Sequence, residues 1–259
     1  MIFNKLTQLS LICSALTIFG VKAMDSLSQD ELNEQLIESI PLNDSKEIQR
    51  IIDLKADVNA VDTLSDSSAL ITAVACEKQN CVKTLLENKA NINLADNRGI
   101  TPSMHLLSKS NKNSSVPTIL EYLLQEGNDV NSVDSDGWTA LMYAARNGHS
   151  DYIENLYKMG ADLNFKNKEG FTPLMEAVIY GNFNSVQKLV ELGADITVED
   201  NEGKTAIDLA EDKGYKNIAD YLTNALRDQV KRRAGIKKIL KDDIRLPDEL
   251  SDIVIGYDI

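Results

Sequence analysis

The side chains with the most chemistry to offer are few in this chain. His105 and His149 are its only histidines, and Cys13, Cys76 and Cys81 its only cysteines. A zinc site needs several such ligands at short, paired spacings. The two histidines lie far apart with no cysteine beside either, so no metal site is expected. The acidic residues are numerous but dispersed, as on solvated faces, and no pair stands apart as a general acid and base. No Ser, Cys or Lys has a recognisable activating base, and the glycines do not gather into a phosphate-cradling loop. The reading is therefore of a protein that is not an enzyme and takes no cofactor. The chemistry that remains is that of contact. Four threonines, Thr101, Thr139, Thr172 and Thr205, are each preceded by a variable residue: Ile100, Trp138, Phe171 and Lys204. Trp138 is the sole Trp of the chain. Exposed Trp and other aromatic side chains tend to dominate binding energy. The same three residues also suit packing against an adjoining turn, and both readings stand at this stage.

These positions recur because the chain repeats. Asp134–Lys166 is followed without a gap by Asn167–Glu199, each 33 residues long. The two match at Gly137/Gly170, Thr139/Thr172, Leu141/Leu174, Ala144/Ala177, Gly148/Gly181, Gly160/Gly193, Ala161/Ala194 and Asp162/Asp195. A threonine suits a helix start, and Pro102 and Pro173 suit the first helical position. Gly148, Gly181 and Gly214 permit the left-handed backbone that ends a first helix. Leu141, Ile153, Leu156, Leu174, Val186 and Leu189 supply apolar faces, and Ala144, Ala145 and Ala177 let neighbouring helices approach. A 33-residue unit of this composition resembles the ankyrin repeat. The resemblance implies an all-α solenoid of stacked helix-turn-helix units joined by hairpin-like loops. It also implies protein–protein recognition through a concave surface. The residue before each repeat's threonine lies near that surface in ankyrin proteins, which makes Ile100, Trp138 and Phe171 candidate partner-binding residues. The inner face of the first helices adds Tyr143, Arg146 and Asn147 from one unit and Glu176, Ile179 and Tyr180 from the next.

Six units are expected. Residues 24–61 form a polar N-terminal cap, with helical spacing at Leu32, Leu36, Ile37 and Ile40 and again at Ile48, Ile51 and Ile52. Residues 62–95 form a unit in which Glu77 and Lys89 replace the two turn glycines, at some conformational cost. Residues 96–133 carry a surplus best placed at Asn111–Ser115, between the two helices, where loop entropy tolerates it. Residues 134–166 and 167–199 follow, and 200–228 form a polar C-terminal cap. His149 is expected to hydrogen-bond the adjoining turn. Cys76 and Cys81 flank the turn of their unit, either as ordinary packing residues or as a disulfide formed after export.

The two ends differ from the array. Residues 1–23 read as a signal peptide, with Lys5, an apolar stretch Leu6–Val21 and a Val21-Lys22-Ala23 cleavage site, so export to a periplasm or beyond is expected. No later segment is apolar enough to span a bilayer. The formal charge is −13; removing Lys5 and Lys22 with that segment leaves 25 basic against 40 acidic groups, or −15. Such a field disfavours nucleic acid and suits a basic or polar protein surface. The partner expected is a protein, met by a monomer, with no membrane contact after cleavage. Residues 229–259 read as a helical tail with a basic cluster including Lys231, Arg232 and Arg233. Its Ile244–Ile253 stretch resembles the start of an F-box motif, which implies an alternative role as a secreted adaptor recruiting a ubiquitin-ligase component. Co-purification with such an adaptor, lost on changing Leu246 and Pro247, is the discriminating test.

Overall fold

The computed structural model of the chain describes residues 27–63, 66–109, 116–124 and 127–242, with backbone alone at residue 116 and from 232 onward. The segment read as a signal peptide, the Asn111–Ser115 surplus and the Ile244–Ile253 stretch lie outside these residues. Among the described residues the fold is all-α. The described helices come in six consecutive pairs: α1 (Gln29–Ser39) and α2 (Ser45–Asp53), α3 (Ala69–Ala75) and α4 (Gln79–Glu87), α5 (Pro102–Leu107) and α6 (Val116–Leu123), α7 (Ala140–Arg146) and α8 (Ser150–Lys158), α9 (Pro173–Ile179) and α10 (Phe183–Glu191), α11 (Ala206–Asp212) and α12 (Lys216–Asp242). None of these helices is long and apolar enough to cross a membrane.

Most of these helices have only six to nine residues. An isolated helix that short is unstable in water, so tertiary packing must hold it. First helices start at side-chain caps, of which the sequence reading indicated those at Thr139 and Thr172. The Thr139 hydroxyl accepts the Met142 N–H at 3.3 Å, and Thr172 accepts that of Met175 at 3.3 Å. Ser68 does the same for Ile71 at 3.2 Å. At Thr205 the bond is reciprocal, because the Asp208 carboxylate reaches back to the Thr205 N–H at 2.8 Å. The first helix then ends in a left-handed residue. That is Gly148 at φ +72° and Gly181 at φ +67°, but Glu77 at φ +54° in the second pair, where Lys89 at φ +67° also replaces glycine. The turn geometry is kept at both departures, and the strain falls on the side chains that adopt it.

The chain divides into two compact units, one of residues 1–106 and 111–129, the other of 107–110 and 130–259. In the first, α1 packs on α2 and α3, and α4 packs on α2, α3 and α6. Its core includes Leu36, Ile48, Ile51, Leu70, Val82 and Leu85. Cys81 is buried in it as a free thiol, its Sγ facing the Ile40 carbonyl, while Cys76 is free and exposed. Burial pushes the Cys81 thiol up from its ordinary value. In the second unit the first helices α7, α9 and α11 form one layer and the second helices α8, α10 and α12 another. Leu141, Ile153, Leu156, Leu174, Val186 and Leu189 are all buried between them. Helix α12 runs unbroken through residues 228 and 229, so the last repeat and the start of the tail share one helix.

Candidate partner-binding surface

The fingers before α5, α7, α9 and α11 are each built on an Asp or Asn. One oxygen of Asp134 accepts the N–H groups of Asp136 and Trp138, each at 2.9 Å. Asn167 does this for Glu169 and Phe171, Asp200 for Glu202 and Lys204, and Asp96 for Arg98 and Ile100. The residue before each threonine is thus pinned to the Asx side chain four positions earlier, which fixes where it projects. Neighbouring fingers of the second unit are also joined. The Lys168 N–H donates to the Asp136 carbonyl at 3.1 Å, and the Asn201 N–H to that of Glu169 at 3.3 Å.

On this frame Trp138, Tyr143, Arg146 and Tyr180 come together. The Trp138 and Tyr143 rings lie 5.3 Å apart at 44°. The Arg146 guanidinium sits 5.0 Å from the Trp138 centroid and 4.4 Å from that of Tyr180. Cations over aromatic faces at such distances are attracted by about 0.5–2 kcal/mol, more as water is excluded. The Tyr143 hydroxyl donates to the second oxygen of Asp134 at 2.6 Å, tying the cluster to the finger. Asp136, Trp138, Tyr143, Arg146, Lys168 and Glu169 line a groove of about 490 Å³.

The other expected site residues are placed differently. Ile100 belongs to the first unit and is 8% exposed, and Glu176 is 2% exposed, so neither offers a partner appreciable surface. Phe171 and Ile179 are half-buried. Asn147 spends its amide on structure, donating to the carbonyls of Leu107 and Tyr143 at 3.0 and 3.1 Å. Tyr180 is 47% exposed, with its ring against Arg146. Burial pushes the Glu176 carboxyl up to about 7, with Arg146 opposing the rise and Glu169 adding to it. Asn167 Nδ2 lies 3.5 Å from it. His149 packs at 2% exposure with Nε2 2.6 Å from the carbonyl of Lys109 in the preceding repeat. Among the described residues no group of His, Cys, Asp and Glu is arranged to hold a metal ion.

Two features escaped the sequence reading. The Asx residues Asp96, Asp134, Asn167 and Asp200 build the fingers, and an asparagine ladder joins the repeats. Asn59 Oδ1 accepts the Asn91 N–H at 2.7 Å, Asn93 that of Asp129, Asn131 that of Asp162, and Asn164 that of Asp195. Each is seen four times at the spacing of the repeat, and that period is the signal by which they are found.

The comparisons agree with this architecture. A family model described as ankyrin repeats in three copies matches residues 107–200 and 164–233, and a single ankyrin repeat matches residues 65–97. The crystal structure of an ankyrin repeat domain from Acinetobacter baumannii AYE is 29% identical with a TM-score of 0.66, covering 73% of this chain and 96% of its own. A second solved ankyrin repeat protein is 32% identical at the same TM-score and the same coverage. No curated protein shows a significant match. The chain belongs to the ankyrin-repeat family, whose fold is the all-α repeat solenoid and whose members generally mediate protein–protein interaction.

Proposed function

We propose that this chain is a non-catalytic scaffold that binds a partner protein through the first helices and fingers of its second unit. The observation that carries this reading is the cluster of Trp138, Arg146 and Tyr180, which holds aromatic and cationic surface at a groove instead of in the core. Trp, Tyr and Arg are the residue types most enriched in binding hot spots. The family's usual concave recognition surface supports the same location, as does the fixing of Trp138 and Phe171 by the Asx-built fingers. The scaffold consists of six repeats, of which residues 24–61 and 200–228 are the capping ones, and acts as a monomer exported by residues 1–23. The net charge of −13 favours a protein over a nucleic acid as partner.

Affinity capture with the chain lacking residues 1–23, run beside a Trp138→Ala/Phe171→Ala variant, tests the reading. The specific partner should be lost from the variant while its melting temperature stays within a few degrees of the parent. Equal recovery of that partner by both proteins would remove the proposed surface from consideration.

A further inference from the structure

Arg146 is held between the faces of Trp138 and Tyr180, yet among the described residues its guanidinium makes no hydrogen bond and no ion pair. An arginine so fixed has already lost most of its rotamer freedom, and its N–H fork matches a carboxylate in two parallel bonds. Lys168 lines the same groove, its ammonium group resting on the Ser135 carbonyl. The groove also contains the exposed carboxylates Asp136 and Glu169. These oppose a dianionic phosphate more strongly than a single carboxylate, and the chain's net charge opposes an acidic tract.

We propose that Arg146 receives one carboxylate of the partner, an Asp or Glu side chain in an otherwise polar segment. This rests on the scaffold reading and names the anchor that its surface recognises. Glu176 lies buried on α9, close enough to Arg146 for the guanidinium to favour its ionised form. A second carboxylate drawn to Arg146 takes up that favourable field and adds its own repulsion. The buried acid then becomes the neutral form, which burial already favours, since its carboxyl sits at about 7. Other charged groups on elements packed against α9 do not compensate. Glu169 raises the carboxyl further. On α10, Lys188 and Glu191 pair with each other. On α11, Asp208 bonds Thr205 and Asp212 pairs with Lys204, while Glu211 is exposed.

The sole tryptophan stacks on Arg146, so its fluorescence reports directly on the site. The probe is the blocked peptide acetyl-Gly-Glu-Gly-amide, with acetyl-Gly-Lys-Gly-amide and inorganic phosphate as the other arms. The glutamate peptide should give a saturable change with a dissociation constant on the order of 1–10 mM, as expected of a single anchor. It should bind several-fold more tightly at pH 6 than at pH 8. Arg146→Gln should abolish the response, Arg146→Lys should weaken it about tenfold, and Glu176→Gln should bind with its pH dependence gone. Circular dichroism establishes that each variant is folded. The proposal is overturned by no saturable response up to about 20 mM, by an equal response to the lysine peptide or phosphate, or by unchanged binding in folded Arg146→Gln. If the peptide fails while Trp138→Ala/Phe171→Ala still loses the captured partner, the scaffold reading stands and the carboxylate anchor falls.

Discussion

Burial of Glu176 beside Arg146 makes one carboxyl of the second unit a stability element that depends on pH. Burial raises its pKa in the fold to about 7, against an ordinary value of 4.5. The folded state therefore holds a proton that the unfolded chain releases. The resulting stability is fully present below about pH 4.5 and is lost as pH rises through 7. A shift of this size corresponds to on the order of 3 kcal/mol before solvent screening reduces it. Glu176→Gln cannot ionise, so its stability advantage over the parent should grow between pH 5 and pH 8, reaching about 1–3 kcal/mol in urea denaturation. A constant difference across that range would show that Glu176 does not titrate in the fold. Gly170 is the residue-scale limit on the fingers. It has φ +85°, and an added Cβ would lie 2.6 Å from the Asn201 backbone nitrogen. Gly170→Ala should cost about 1–3 kcal/mol by the same assay, since backbone must move to admit the methyl group. A neutral Gly170→Ala would mean that the fingers adjust freely.

At the scale of elements, the helix pairs were legible because their signals are local. Thr139 and Thr172 announce helix starts, Gly148 and Gly181 announce helix ends, and the 33-residue period aligns them. The connections were less legible. Asp134 and Asn164 are polar residues in polar loops, and nothing in either alone distinguishes a solvated side chain from one that holds a finger, as Asp134 does, or joins two repeats, as Asn164 does. Only the repeat geometry, which brings the Asp195 N–H to 2.8 Å from Asn164 Oδ1, gives that residue its task. The site was legible in part for the same reason. The position before each threonine was identifiable, but its exposure depends on neighbours, which bury Ile100 and leave Trp138 half-exposed. The stacking of Arg146 between rings from two repeats depends on α7 and α9 being adjacent, which no local pattern encodes. Asn164→Ala should lower stability by about 1 kcal/mol, measured by thermal melting, although the bond is exposed. An unchanged melting temperature would reduce the ladder to a geometric by-product.

At the scale of the whole molecule, stability is a sum over repeats and their interfaces. Leu156 is fully buried in the second unit, so Leu156→Ala should cost about 2–5 kcal/mol. Hydrogen exchange should then speed up first in the repeats next to the substitution and spread from there. Uniform acceleration across the chain would mean that the units unfold as one. Function at this scale needs only that one face remain rigid and available. The most direct measurement of that claim places a photo-crosslinking amino acid at Tyr180, whose ring lies against Arg146, and separately at Tyr157 of α8, which is 42% exposed. Both variants are then irradiated with the captured partner. A binding face centred on Trp138 and Arg146 gives a crosslinked partner from position 180 and none from 157. Crosslinking from 157 alone, or equally from both, would contradict it.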